Sequence, residues 1–344
     1  MKSVIKFFFL VYAILSTGLY IISCLAPLIH PDHNSVFYFS GLAFPFILLN
    51  FLLVALYFGI GKKKFIFLFL LIPGILYSLK FISTGKEVEL SGDEIHVYTF
   101  NSFSDKLLHE NDKEYDRWSA YVTADQNKPD IICLQEHNSV SDDIFPGSKN
   151  FNTWTYDRSN LKITTKYDII KGGEIKDDTG LRFCIFADIQ IDTDTVRIYT
   201  FHLFSNKISK MLESAENVEN PGAKRIISGS DRLRSRIYSA AVSRAHQAKK
   251  LRWHMDACRY PIIACGDLNE TAQSFSYRQI KHDLNDSFSK GALGFHPTYR
   301  KNPSWVRIDY TFTSDEFDVC LYEVLPFAIS DHRPVKVALR LGSD

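Results

Sequence analysis

The chain has 344 residues, a net charge of +1 and a hydrophobic fraction of 46%. That length suits one large α/β domain plus a further element, and the near-zero average charge says little about partners. Its six cysteines include no Cys-x-x-Cys pair, and the five beyond the apolar start cannot all pair within one chain, so no obligatory disulfide framework is expected.

The long apolar runs are concentrated at the start. No charged side chain occurs from Phe7 to Ile29 or from Val36 to Ile60. Each run has roughly twenty residues or more, enough to cross a hydrocarbon core of about 30 Å as a helix. A secretory signal peptide is the rival reading of the first run, but its apolar part is too long and a second run follows at once. A third run, Phe65 to Ile82, contains Pro73-Gly74 and Lys80. Membrane helices tolerate both features, so a crossing is expected here too, with a buried or interfacial helix as the alternative. Lys2 and Lys6 precede the first run, Lys62-Lys63-Lys64 separate the second and third, and His30 to Ser35 has neither Lys nor Arg. The positive-inside rule then predicts an integral membrane protein with a cytoplasmic N-terminus. Three crossings place the catalytic domain outside the cytoplasm; two would place it inside. Residues 1–83 read as the anchor and 84–93 as a short linker that reaches only about 30 Å when extended. The domain over 94–344 is therefore expected against the bilayer.

Ile95 to Asn101 alternates as a half-buried strand does and ends in a carboxamide. Tyr115 to Ala124 has helical character, and Lys128-Pro129-Asp130 then leads into an apolar strand, Ile131 to Leu134, closed by Gln135-Glu136. A carboxylate at the end of a buried strand is costly unless paired, which gives Glu136 a reason to meet a divalent cation; a surface salt bridge is the alternative. Asp142 to Asp157 reads as a loop around Pro146-Gly147. Leu181 to Ile191 and Thr195 to Thr200 form a predicted hairpin turning at Asp192-Thr193-Asp194, with His202 just beyond it. Ser205 to Ser230 is polar and includes Asn220-Pro221-Gly222. Asp231 to Met255 reads as a helix capped by Asp231, with Leu233, Ile237, Ala241, Ala245 and Ala248 on its apolar stripe. Its other face carries Arg232, Arg234, Arg236, Arg244, Lys249, Lys250 and Arg252, either simply solvated or turned toward anionic headgroups or a polyanion.

The densest chemistry lies in Pro261 to Glu270. An apolar run stops at Gly266, and Asp267 and Asn269 follow at i and i+2. In extended backbone that spacing sets a carboxylate and a carboxamide on one side of the strand end; an ordinary turn would use the same residues. Arg307-Ile308-Asp309-Tyr310 and Ser330-Asp331-His332-Arg333-Pro334 come later, before a final strand over Val335 to Leu339.

Taken in order, Phe100-Asn101, Leu134-Gln135-Glu136, Thr200-Phe201-His202-Leu203, Gly266-Asp267-Leu268-Asn269, Arg307-Ile308-Asp309-Tyr310 and Ser330-Asp331-His332 resemble the endonuclease/exonuclease/phosphatase superfamily, over roughly Glu94 to Leu341. The resemblance implies a four-layer α/β sandwich, two packed mixed β-sheets flanked by helices, here preceded by transmembrane helices. It also implies a hydrolase acting on phosphate esters. In it Glu136 is the metal carboxylate, supported by Asn101, while Asp331 binds metal or positions its neighbours. Asp267 orients or deprotonates the attacking water, Asn269 and His202 donate to phosphoryl oxygens, and Asp309 holds His332. Whether Asp267 or His332 takes the water's proton stays open. Mg²⁺ or Mn²⁺ is expected, because the ligands are oxygens and there is no Cys/His cluster for zinc. Thr165-Lys166-Tyr167-Asp168 departs from the family's Ser-Lys-Tyr-Pro turn, which bears on substrate fit. The spans favour a phospholipid, lipid-linked or small phosphate ester at the membrane. The alternative is a membrane-tethered nuclease acting on extracytoplasmic nucleic acid. A non-catalytic scaffold is a third reading, disfavoured because every polar station is occupied. No obligatory protein partner is evident.

Overall fold

A computed structural model of the chain describes residues 2–59, 64–86, 88–103, 112–137, 144–156, 160–205, 223–301 and 304–342. The features noted at Lys62-Lys63, Asp142 and Asn220-Pro221-Gly222 lie outside the described residues. Two units separate: Met1–Ser78 with Phe204–His246 and Gln273–Arg278, and Leu79–Leu203 with Gln247–Ala272 and Gln279–Asp344.

The first unit contains α1 (Lys2–Leu25), α2 (Ser35–Leu42), α3 (Phe44–Gly59) and α4 (Lys64–Ser78). Among the described residues, one helical stretch, Val4–Leu28, is by itself long and apolar enough to cross a membrane, a property that a signal sequence shares. It turns Phe8 and Leu15 outward at 66% and 67% exposure, an apolar surface suited to lipid. The second apolar run is not one straight span, because α2 and α3 meet at 77°. Pro45 explains the break: it has no N–H to donate, and its ring would clash with the carbonyl four residues back. At fifteen residues α4 is about 22 Å long, short of a bilayer core. Polar groups in these helices satisfy one another. Asn50 Nδ2 donates to Ser16 Oγ at 2.7 Å, and Tyr20 stacks on Phe51 with ring centroids 4.1 Å apart.

The second unit is built on strands. In chain order they are β1 (Ser83–Thr84), β2 (Ile95–Asn101), β3 (Ile131–Gln135), β4 (Asn152–Thr155), β5 (Lys162–Thr165), β6 (Asp168–Lys176) and β7 (Arg182–Ile191). There follow β8 (Asp194–His202), β9 (Ile262–Asp267), β10 (Asn285–Asp286), β11 (Leu293–Gly294), β12 (Asp309–Thr313), β13 (Phe317–Val324) and β14 (Val335–Leu341). The further helices are α5 (Asp112–Thr123), α6 (Ala223–Asp256), α7 (Phe275–Lys281) and α8 (Ser287–Gly291). One six-stranded sheet runs β13-β14-β2-β3-β5-β4 and the other β10-β12-β9-β8-β7-β6. Both are mixed, since β2 and β3 pair in parallel, as do β8 and β9. Val97, Ile131, Cys133 and Ile163 from one sheet and Ile185, Ile198, Ile263 and Cys265 from the other form a single buried cluster. Alternation sends Tyr98, Phe100, Ile132 and Leu134 to the opposite face, where they pack on Trp118 and Val122 of α5. On the second sheet, His254 near the end of α6 meets the Tyr199 hydroxyl at 2.9 Å. This is the expected arrangement of two packed sheets flanked by helices.

Several local expectations change. The stretch Ile163 to Ile170 forms two strands, β5 and β6, in different sheets, joined at Lys166-Tyr167 within the turn that Thr165 to Asp168 marks. Asn152–Thr155 is a strand inside the expected loop. Helix α6 starts at Ala223, eight residues before Asp231. Its basic face is partly structural. Arg244 is fully buried and donates to Phe204 O and Tyr38 Oη, Arg252 pairs with Asp256 and Asp283, and Lys250 reaches Asp178 at 3.0 Å.

The expected linker is woven into the domain. Thr84 and Ser83 pair with Leu293 and Gly294, and Val88 N donates to Cys320 O. Gly85 lies so close to the next segment that a Cβ there would fall 2.3 Å from Lys290 O. All six cysteines are free thiols.

Candidate active site

The two parallel strand pairs end together. Asn101 pairs with Gln135 at the close of β2 and β3, and His202 pairs with Asp267 at the close of β8 and β9, with Asp309 of β12 opposite Asp267 on its other side. Gln135 Nε2 joins the two sheets behind this edge by donating to Thr200 Oγ1 at 2.8 Å. Gly266 is required just before the site. Its φ is +156°, and a Cβ would lie 2.0 Å from the Phe201 carbonyl oxygen, so no larger residue fits between β8 and β9.

Asp267 is 1% exposed and is held from several sides. Its Oδ2 accepts from Asn101 Nδ2 at 3.0 Å and its Oδ1 from the Asn269 backbone N at 2.7 Å. Asn101 Nδ2 also lies 3.4 Å from Glu136 Oε1. His202 Nε2 is 3.4 Å from Glu136 Oε1 and 3.7 Å from Asp267 Oδ2. On the far side His332 Nδ1 bonds Asp309 Oδ2 at 2.8 Å, leaving Nε2 3.8 Å from Asp267 Oδ2. Asn101, Glu136, His202, Asp267, Asp309 and His332 thus converge from both sheets.

One of the expected residues sits differently. Asn269 has φ +54°, so a left-handed turn, not extended alternation, brings it back to Asp267. Its Nδ2 donates to Leu203 O at 3.0 Å and lies 3.3 Å from Asp267 Oδ2, which makes it a clamp on Asp267. Asp331 approaches Ser330 Oγ at 3.3 Å and Lys301 Nζ at 4.0 Å. Two supporting residues were not singled out from sequence. Thr298 Oγ1 accepts from both Ile308 N and Asp309 N, and Ser330 Oγ donates to Asn101 O at 2.7 Å. Their signal was adjacency to the motifs. Glu136 has φ +49°, a strained conformation for a non-glycine residue and a common mark of functional positions.

Burial pushes the Asp267 carboxyl up to about 6, reinforced by Asp309 and opposed by His332 and His202. Burial pushes Asp331 upward as well. For His332 burial acts downward, but Asp309 foremost, with Asp267 and Asp331, outweighs it and drives the imidazole up to about 10. The sign follows. A basic group raised on folding contributes stability that is complete below its unfolded value near 6.5 and is lost as pH climbs through 10. The melting temperature of the metal-free protein should therefore fall by several degrees between these limits, and Asp309→Asn should flatten the profile. An unchanged slope in that variant would refute the pairing as its cause.

The donor set fits a divalent cation. Four carboxylates, Glu136, Asp267, Asp309 and Asp331, approach one edge, and the buried His202 Nε2 beside two of them has no hydrogen-bond partner. Oxygen donors suit Mg²⁺ or Mn²⁺. Asp267, Asp309 and His332 offer three ligand atoms within 4.8 Å of one another, but the Asp309–His332 hydrogen bond accounts for part of that closeness. Glu136, 28% exposed and with Asn101 beside it, suits a hydrated ion better.

Residues 98–332 match the model of the Endonuclease/Exonuclease/phosphatase family. The chain belongs to that family. Its members are hydrolases of phosphate esters that typically use divalent metals. Residues 6–84 match a domain of unknown function, and comparison with curated proteins gave no match. Solved structures share the family fold. A family protein from Bacteroides thetaiotaomicron is 19% identical, with a TM-score of 0.50 over 72% of this chain and 94% of its own. A mannosyl-6-phosphatase from the same species is 20% identical, with a TM-score of 0.50 over 72% of this chain and all of its own (100%). A functionally unknown conserved protein from Enterococcus faecalis is 13% identical, with a TM-score of 0.51 over 72% of this chain and 100% of its own.

Proposed function

We propose that the chain is a divalent-metal-dependent phosphoesterase, anchored by α1, that hydrolyses a phosphate ester at the membrane: a phospholipid, a lipid-linked phosphate or a small ester. The observation that carries the reading is the convergence of Asn101, Glu136, His202 and Asp267 with the Asp309–His332 pair at one sheet edge. Glu136 and Asn101 would hold Mg²⁺ or Mn²⁺, with Asp331 beside them, and a bound cation would neutralise phosphoryl charge. Asp267 is the acceptor for the attacking water's proton, because its carboxylate is fixed by Asn101 and Asn269 and faces both histidines. His332, held protonated by Asp309, donates to the phosphoryl oxygen that gains charge in the transition state, and His202 donates beside it. Asn269 acts through Asp267 by fixing its orientation.

We place the catalytic domain outside the cytoplasm, with Lys2 and Lys6 inside before α1 and α1 as the one crossing. The nuclease alternative keeps only part of its positive hint, since Arg244, Lys250 and Arg252 are held by groups within the fold while Arg232, Arg234, Arg236 and Lys249 are exposed. The test uses intact cells and a panel of sphingomyelin, phosphatidylinositol phosphates, other phospholipids and plasmid DNA presented outside. Mg²⁺-dependent lipid turnover, lost on chelation, is expected. Turnover only after permeabilisation would reverse the orientation, and DNA cleavage without lipid turnover would install the nuclease.

A further inference from the structure

The ribbon formed by β1 and β11 exposes an apolar face. Its antiparallel register sets Thr84 opposite Leu293 and Ser83 opposite Gly294. Residues directly across from one another share a face, so Thr84 and Leu293 lie on one side of the ribbon and Ser83 on the other. Ile82 precedes β1, and Phe295 follows Gly294, whose φ of +96° turns the chain out of the strand. Leu293 is 72%, Ile82 52% and Phe295 48% exposed, whereas Ser83 is buried at 2%. Three large apolar side chains at one small ribbon, turned to solvent, call for a partner.

Where the ribbon sits in the chain identifies the partner. The apolar helix α4 ends at Ser78, and Ser83 follows five residues later, no more than about 18 Å away when fully extended. The pairing sets Leu293, more than two hundred residues on in sequence, beside Thr84, six residues along the chain from the end of α4. Exposed Lys86 and Lys290 adjoin the ribbon, and their charge suits anionic headgroups. The same loop carries Trp305, 37% exposed, tied back by Thr298 N donating to Val306 O; Trp favours the membrane interface. It continues directly into Ile308 and Asp309.

We infer that the face made by Ile82, Leu293 and Phe295 is a bilayer-contact surface that dips into the interface of the membrane holding the anchor. It seats the loop leading to Asp309 beside the lipid headgroups. The inference rests on α1 being a membrane anchor and deepens the functional reading by assigning the surface through which a lipid-borne ester would be met.

Full-length protein in anionic nanodiscs provides the test. In a Cys258→Ser background, in which the remaining cysteines are buried, a fluorophore is placed at Phe295→Cys or at Ile170→Cys, an exposed position on β6. Doxyl-labelled lipid should quench the label at 295 several-fold more than the label at 170. Equal quenching overturns the inference, whatever the protein hydrolyses. The double variant Leu293→Asp/Phe295→Asp should lower turnover of a bilayer-borne ester about tenfold or more, with a water-soluble ester hydrolysed as before. Equal loss on both esters would make the face structural and also overturns it. Wild-type protein inert toward every ester would sink the functional reading and leave the quenching result to decide the surface.

Discussion

Asp267→Asn should lower turnover of a chromogenic phosphate ester by about 10³-fold, the scale on which a positioned proton acceptor contributes. The substitution is nearly isosteric, so the effect isolates charge and proton acceptance. An amide at 267 would offer an N–H where the carboxylate now accepts from Asn101 Nδ2 at 3.0 Å and from the Asn269 backbone at 2.7 Å. It would also remove a carboxylate that burial makes costly to ionise. The first effect costs stability and the second restores it, so stability should change little while activity collapses, a combination that general misfolding cannot produce. Residual activity within tenfold of wild type, with the fold intact, would remove Asp267 from the mechanism.

The second large effect lies behind the site, at Arg307. Its guanidinium pairs with Asp286 through two bonds of 2.7 and 3.0 Å, lies over Phe288 and Tyr310 at 4.2 and 4.3 Å from the ring centroids, and donates to Lys80 O at 3.1 Å. Both partners are almost fully buried. Arg307→Met should cost about 3–5 kcal/mol, the usual penalty for leaving one member of a buried ion pair behind. In a domain of this size that is a fall of roughly 10 °C in melting temperature. Arg307→Met with Asp286→Leu should recover most of the loss, because two apolar groups need no counter-ion. A double variant as unstable as the single one would show that packing on the rings, and not the charge pair, is what matters.

The residues that converge at the sheet edge were legible because each combines two signals: an apolar run that fits a buried strand and a polar residue at its end. Asn101, Glu136, His202 and Asp267 follow that rule, and parallel pairing then brings their ends together. What was not legible depended on a partner far away in the chain. Nothing local to Arg307 points to Asp286, nor does anything near Gln135 point to Thr200. Asn269 was expected to reach toward substrate because i and i+2 share a face in extended backbone, and its positive φ undid that premise. The start of α6 was missed because Ser228-Gly229-Ser230 looks like a loop. In the N-terminal helices, hydropathy located the apolar runs but could not register the bend that Pro45 forces.

The pairing of Ser83 and Thr84 with β11 changes where the protein can be cut. Treating residues 84–93 as a dispensable tether would suggest a water-soluble fragment beginning near Glu94. Such a fragment would strip the strand from Leu293 and Gly294, the donor from Cys320 O, the packing on the Lys290 carbonyl and the Lys80 oxygen that Arg307 holds. The first residues after α4 are part of the enzyme's own framework. A protease that nicks the chain at Lys86 would leave the two pieces associated through these contacts, so solubilised activity requires a start upstream of Leu79.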